Sequence, residues 1–561
     1  MGQPALAIGA DFGTAGARAV LLDLGSGEEL AVSEIPYRQG VIDRTLPEGG
    51  EPLPPDWALF DPLDYADVLC RLVTGVTAGL PASAGHVIGI GVDATSCSVV
   101  PVAAGGEPLC TLPAWRARRH AWPKLWKHHA AQYVADRLTE VARERGEAFL
   151  GRYGGRISSE WFFPKLIQIW LEDRAVYEAT SELVEVTDWL VWYLTGAEVR
   201  SSGPAAYKAM WSPEGGLPGR DYFEQAFPGF GDPGARFARR LAPLGTPAGE
   251  LRADLAERLG LPGGVVVAVG NVDSFVSFPG AGASGPGTYV MVVGTSVCDM
   301  VVAEEMRPVP GITGVARDGI LPGYFGYEAG QAAVGDMLGW YLGLLGAGQG
   351  AAGPGFGELE TVAAQLRPGE TGLVALDWWN GNRSILGDDT LSAVVAGLTL
   401  QTTRADLYRC MLEAVAFGNQ AVIDSFTREG VAVPGIVACG GIAEKSPLLM
   451  QMIADVSSLA VRVPASSHVP ARGAALFGAV AAGPGRGGFA DISQAAALLA
   501  PPVGREYRPS PGAHAAYRRV YALWTALHDQ MGRGRADLLH ELKDLRMGVV
   551  AQRLDQAKEA M

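Results

Sequence analysis

The 561-residue chain contains no C-x-x-C pair. It also lacks a run of eighteen apolar residues, so no membrane span is expected and no membrane partner. Its six cysteines (Cys70, Cys97, Cys110, Cys298, Cys410, Cys439) are scattered. That argues against a zinc site or a disulfide framework, and for buried free thiols in a reducing cytoplasm. Positive charge is scarce: 45 Lys and Arg stand against 60 Asp and Glu, a net of −15. A balance of that sign speaks against a nucleic-acid partner. The opening MGQPALAIGADFG has no charged n-region and runs straight into a strand, so no secretory leader is expected.

What is present describes a soluble globular protein, 48% hydrophobic and 19% charged. The length exceeds one ordinary core and predicts two or more domains. The first hundred residues read β-β-β-α-β. ALAIGADFG and ARAVLLDL form a hairpin, ELAVSEIPY a third strand and IGIGVDATS a buried later one. Between them Val68, Leu69, Leu72, Val73 and Val76 recur at helical spacing. Residues 44–56, with four prolines, Gly49 and Gly50, read as a surface loop.

The same order returns later. GTYVMVVGTS and VCDMVVAEEM pair, DGILPGYFGYE supplies a third strand, and an apolar helix follows near 331–345. PGIVACGGIAEKSPLLMQMIADV then gives strand, Gly-Gly turn and helix, and LAVRVPA with ARGAALFGAVAAG a last strand and helix. The changeover falls near 275–290, dividing the chain into 1–283 and 284–561. The stretch 346–357 reads as a loose connection. A helical extension runs from about 513, interrupted around Gly532–Gly534. The tail is expected to pack or to mediate homo-oligomer (dimer) contacts rather than to carry catalytic groups.

The chemistry begins at IGADFGTAGARAVLLD, where a strand ends in Asp11 and then Gly13, Thr14, Ala15 and Gly16. Such a turn exposes backbone N–H groups to an anion without a Cβ in the way. Asp11 repels phosphate unless a divalent cation lies between, for Mg²⁺ usually through water. It is therefore read as metal-orienting, with Thr14 donating to phosphate and Arg18 adding charge. The plainer reading is a tight hairpin whose Asp bonds turn amides. A second small, hydroxyl-bearing turn, Gly294–Thr295–Ser296, ends the corresponding strand of the other half, and Gly440–Gly441 separates a strand from a helix. With all three pieces in order, nucleotide binding is favoured over three ordinary turns.

This triplet in duplicated halves resembles the actin/hexokinase/Hsp70 ATPase superfamily, and the whole chain resembles the FGGY family of carbohydrate kinases. The residues that carry the narrower resemblance are HAWPKLWKHHAAQ (120–132), RYGGRISSEWFFPK (152–165), AAYKAMW (205–211), VVAVGNVDS (266–274), GYFGYEAGQAAVGD (323–336) and ALDWWNGNRSIL (375–386). They point to the branch that phosphorylates ribulose. The implied fold is α/β, with two actin-like (ribonuclease H-like) ATPase domains of duplicated β-β-β-α-β-α-β plan around a central cleft. The implied reaction is phosphorylation of L-ribulose at its C5 hydroxyl by ATP and Mg²⁺, in L-arabinose catabolism, with D-ribulose as a second acceptor.

The resemblance puts the general base at Asp273, which otherwise reads as a helix N-cap. It puts sugar contacts at Ala94 (through backbone or shape), Lys208, Asp273 and Glu328. Trp126 falls where related kinases set an aromatic against the sugar, the alternative being helix packing. His128 and His129 are adjacent, hence on different faces of the expected helix, which makes a metal role unlikely. Two positions depart from the pattern. Phe275 replaces a common His two residues after the catalytic Asp, which opens a shift in specificity. Ser446 replaces Asn on the adenosine-side helix, which predicts weaker base contacts. The rivals are an FGGY kinase for another ketose or polyol of xylulose type, and a non-kinase ATPase of actin or Hsp70 type.

Overall fold

A computed structural model describes residues 4–47, 52–79, 85–237, 240–346 and 354–559, with side chains as far as 549. Two seven-stranded sheets organise it. The first comprises β1 (Ala5–Phe12), β2 (Gly16–Asp23), β3 (Glu29–Pro36), β4 (His86–Ala94), β5 (Pro247–Glu250), β6 (Val266–Ala268) and β7 (Asn271–Val272). Their order is β3-β2-β1-β4-β6-β5, with β7 also against β4. The expected hairpin β1–β2 is antiparallel, and β1 then pairs parallel with β4. Helix α1 (Pro62–Thr77) buries Val68, Leu69, Leu72, Val73 and Val76 against this sheet, and the Asp61 side chain caps it by accepting from the Leu63 N–H.

The second sheet repeats the scheme with β8 (Tyr289–Val293), β9 (Val297–Ala303), β10 (Gly314–Arg317), β11 (Phe325–Gln331), β12 (Ile436–Cys439), β13 (Val461–Pro464) and β14 (Val503–Tyr507). The order is β10-β11-β9-β8-β12-β13-β14. Strands β8 and β9 form the hairpin, and β8 pairs parallel with β12. The expected single strand over DGILPGYFGYE is instead the turn that follows an edge strand, β10, and only its last residues enter β11. Asp318 at φ 59° and Gly323 at φ 90° make the turn that a continuous strand cannot hold.

Helices α2 (Asp273–Gly280) and α4 (Val469–Ala482) lie between the sheets, while α3 (Arg404–Arg428) backs the second sheet behind a Thr403–Asp406 capping box. Helix α4 belongs to the second half of the chain but is seated on β1 and β4 of the first sheet. Glycine makes this approach possible. A Cβ on Gly9 would lie 1.7 Å from the Ala471 carbonyl oxygen, one on Gly91 1.8 Å from that of Ala474, and one on Gly89 2.2 Å from that of Gly478. The core between the sheets therefore draws on both halves, with Ala7, Ile88, Phe275, Val290, Met300 and Leu476 in one cluster.

A mostly helical insertion over 109–237 has its own aromatic-rich core. The segment 120–131 is not the expected helix. Lys124 exchanges backbone hydrogen bonds with Val99, and the Leu125 N–H donates to the Ala58 carbonyl, which claim the backbone there; turns follow, and a helix starts only at Gln132. All six cysteines are free, five of them buried and Cys298 partly so. The extension runs as Pro511–Asp529, a π-turn over Gln530–Gly534 and Ala536–Glu559, and packs through Tyr517, Trp524 and Leu539 on the second core. Part of the 44–56 loop, Gly49 and Gly50 included, and most of the 346–357 connection lie outside the described residues. No described helix is long and apolar enough to cross a membrane.

Candidate active site

A polar row crosses four adjacent strands of the first sheet. Arg18 on β2 is in register with Asp11 on β1, Asp11 with Asp93 on β4, and Asp93 with Asn271 on β7. Register partners point to the same sheet face. Asp11 is 4% exposed and Asp93 0%. The Arg18 guanidinium reaches Asp11 at 3.5 Å. Burial raises the Asp11 carboxyl against the pull of Arg18, and burial together with Asp11 pushes Asp93 far up. Both Asp93 oxygens, and both polar atoms of the Asn271 side chain, find no hydrogen-bond partner.

Orphaned carboxylate oxygens beside a second carboxylate are suited to a hydrated cation. No three described His, Cys, Asp or Glu side chains converge to cage one directly. A cation at this row would keep its own waters, as Mg²⁺ prefers.

Asp273 follows β7 as the first residue of α2, and its carboxylate accepts from the Ser274 N–H at 2.6 Å. The cap itself is Val272, so the helix-capping role expected as the alternative is not the one Asp273 fills. Burial, then the negative charge of Asp11, lifts its carboxyl to about 7. A group poised there exchanges protons readily near neutrality.

Lys208 ends a short helix, Ser202–Lys208, and its Nζ donates to Glu328 on β11 at 2.7 Å. Burial opposes the Lys208 charge, but Glu328 outweighs it and holds the ammonium protonated. The two side chains come from different halves and both are buried. Met300 on β9 is in register with Glu328, which ties the strand after the Gly294–Ser296 turn to this cluster. Ala94 points away, its methyl in the first-sheet core, and only its backbone can meet a ligand.

Both expected turns form. The Gly13 N–H donates to the Gly16 carbonyl at 3.1 Å, and the Gly294 N–H to the Ser296 carbonyl at 2.9 Å. Thr295 is exposed. Gly440 adopts φ 93°, and a Cβ there would lie 2.6 Å from the Val293 carbonyl oxygen. The Gly440–Gly441 bend is thus laid directly against the strand end that opens the Gly294 turn.

Trp126 is not on a helix; its indole N–H donates to the Thr14 hydroxyl oxygen at 2.9 Å. That bond occupies the acceptor side of Thr14 and leaves its O–H free to donate. The neighbouring histidines both have protein partners. His128 is buried against Gln168 Oε1 at 2.9 Å, and His129 bonds Glu160 Oε1 at 3.0 Å. Phe275 is 0% exposed, with its ring 4.4 Å from that of Tyr207 and the Lys208 Nζ 5.9 Å above it. It backs Lys208 instead of meeting solvent in the cleft. Ser446 caps the Pro447–Ser457 helix and donates to Glu360 Oε1 at 2.8 Å, so its hydroxyl is committed to the protein.

Sequence reasoning passed over Asp93, Asn271, Glu160 and Arg383. Asp93 directly precedes the named Ala94, and the alternation of side chains along a strand could have flagged it as the residue facing Asp11. Glu160 and Arg383 lie inside two diagnostic stretches without an assigned role.

Residues 289–482 match the family model described as the C-terminal domain of the FGGY family of carbohydrate kinases. A ribulokinase of Shouchella clausii is 48% identical over 547 residues, covering 96% of this chain and 97% of the relative. One of Halalkalibacterium halodurans is 46% identical over 551 residues, with 96% and 97% covered. The solved xylulose kinase of Rhodospirillum rubrum superposes with a TM-score of 0.76 at 25% identity, covering 95% of this chain and 100% of that one. The two-sheet, two-lobed architecture is thus the actin-like fold of sugar kinases. The chain belongs to the FGGY family of carbohydrate kinases and groups within it with the ribulokinases.

Proposed function

We propose that this protein transfers the γ-phosphoryl group of ATP to the C5 hydroxyl of L-ribulose, giving ADP and L-ribulose 5-phosphate. The observation that carries the reading is Asp273, two residues after the Asn271 that is in register with Asp93, its carboxyl lifted to about 7 by burial and then by Asp11. Phosphoryl transfer to an alcohol needs little covalent help from the protein. It needs a base on the hydroxyl, positioning, and donors on the phosphates.

Asp273 accepts the C5 proton as the hydroxyl oxygen attacks phosphorus. Lys208 and Glu328 hold sugar hydroxyls, one donating and the other accepting. Thr14, oriented by Trp126, and Thr295 donate to phosphate oxygens, and the N–H groups of both turns add to them. Arg18 adds positive charge, and Gly440 and Gly441 let the adenosine approach the backbone closely. Asp11 and Asp93 would hold Mg²⁺ through its waters, and the bound cation would neutralise charge on the β- and γ-phosphates. Closure of the lobes excludes water as a competing acceptor. An enzyme that spends ATP and keeps its cysteines unpaired fits the cytoplasm.

The test is a panel of ketopentoses and polyols with MgATP, read by coupled ADP release. L-ribulose is expected to give the highest kcat/KM, with D-ribulose second. A higher value for a xylulose, or ADP release indifferent to every sugar, overturns the reading.

A further inference from the structure

The stretch RYGGRISSEWFFPK ends in Lys165, in the first turn of the helix Phe162–Glu172. Its side chain is fully buried, at 0% exposure. The Nζ donates to the carbonyl oxygen of Cys97 at 2.7 Å and to that of Leu125 at 2.9 Å. Both acceptors are main-chain atoms, and no carboxylate pairs with the ammonium among the described residues. Burial works against its charge and lowers it to about 8. An apolar side chain would fill the same space at lower cost. What the ammonium adds is three N–H donors at one point.

The two carbonyls belong to segments that border the Gly13–Gly16 turn. Cys97 follows the end of β4 by three residues and holds φ 60°, a left-handed conformation uncommon for any residue but glycine. Just ahead of it, the Thr95 N–H donates to the Phe12 carbonyl at 3.1 Å, one residue before Gly13. Just after it, Ser98 Oγ accepts from the main-chain N–H of Trp126 at 3.2 Å.

Leu125 directly precedes Trp126, so one peptide unit carries both the carbonyl that Lys165 takes and the N–H that Ser98 takes. That unit is held on both edges, by Lys165 on its oxygen side and by the residue after Cys97 on its nitrogen side. The His128 N–H also reaches the Leu125 carbonyl, at 3.0 Å. With the peptide plane fixed in this way, the Trp126 indole N–H ends on Thr14 Oγ1 at 2.9 Å.

Resting on the kinase reading above, we propose that Lys165 is a positioning residue for phosphoryl transfer, which ties the Cys97 and Leu125 carbonyls together and thereby aims the Trp126 indole at Thr14. Fully buried, it acts on the nucleotide only through that indole, which orients the hydroxyl that donates to phosphate. Its influence runs through one hydrogen bond, and that bond can be removed separately.

The experiment is a double-mutant cycle on KM for ATP, with Lys165→Met, Trp126→Phe and the two combined, each checked for folding by circular dichroism. Lys165→Met is expected to raise KM for ATP by about fivefold, as loss of the indole bond does, and KM for L-ribulose by less. In the Trp126→Phe background the same change should add less than about twofold, because the bond it serves is already gone. Lys165→Gln keeps an amide donor one atom short of the carbonyls. It should fall between Met and the wild type, and it stands in if the Met variant does not fold. Additive rises in the cycle, an unchanged KM for ATP in a folded variant, or equal rises for ATP and sugar overturn the assignment while the kinase reading stands. Wild-type protein whose ADP release no ketopentose stimulates overturns the reading and this inference with it.

Discussion

Asp11 and Asp93 stand side by side on adjacent parallel strands, two buried carboxyl groups in register with a single arginine, Arg18, at the end of their row. Like charges this close cannot both ionise without a counterion. Burial and the neighbouring Asp11 push the Asp93 carboxyl well up, which disfavours its charge until a cation arrives.

Asp93→Asn should therefore leave the melting temperature of the ligand-free protein within a few degrees, because an amide replaces a carboxyl whose charged form burial and Asp11 already disfavour. It should raise the Mg²⁺ concentration for half-maximal ATP turnover by about tenfold, a loss of about 1.4 kcal/mol. Mg²⁺ titrations at saturating ATP check it, with thermal denaturation as control.

Asp273→Asn should lower kcat by about 10²–10⁴-fold with ATP affinity retained, the usual worth of a positioned base. In the wild type the base must be ionised. Because burial and Asp11 raise its carboxyl to about 7, kcat/KM for the sugar should climb as pH rises through about 7 and fall below it. A profile already flat down to pH 5 would contradict the role.

How much of this was legible in the sequence follows from range. The turns at Gly13–Gly16 and Gly294–Ser296 are local, a strand ending in small residues, and both were readable. Alternation along its own strand could have flagged Asp93, but its pairing with Asp11 comes from a register between strands far apart in the chain. The helix expected around Trp126 failed because its backbone is claimed by Val99 and Ala58, distant partners that local periodicity cannot foresee. That Phe275 is buried beneath Lys208 was not legible either, since it depends on which face of α2 packs inward.

Trp126→Phe removes the indole donor at 2.9 Å from Thr14 while keeping most of the apolar ring. One hydrogen bond of about 1 kcal/mol corresponds to roughly a fivefold rise in KM for ATP. Separate KM values for ATP and L-ribulose check it. A change confined to the sugar would assign Trp126 to the acceptor instead.

Gly91→Val would drive a branched side chain into the Ala474 carbonyl, where even a Cβ has only 1.8 Å. The backbone of α4 must then lift off the sheet, a loss at or beyond the usual 1–3 kcal/mol of overpacking. Denaturant unfolding should show a lower midpoint, or the variant should be recovered only as aggregate.

That glycine-lined seat also bears on modularity. The strip of backbone that roofs the first sheet is synthesised after the entire second sheet save its last strand, so the amino-terminal half emerges from the ribosome with one face bare. A polypeptide truncated ahead of Tyr289 would lack the helix that covers Gly9, Gly89 and Gly91. The two lobes are in this sense a single folding unit, and dissecting the protein for separate expression would require grafting residues 469–482 onto the leading fragment.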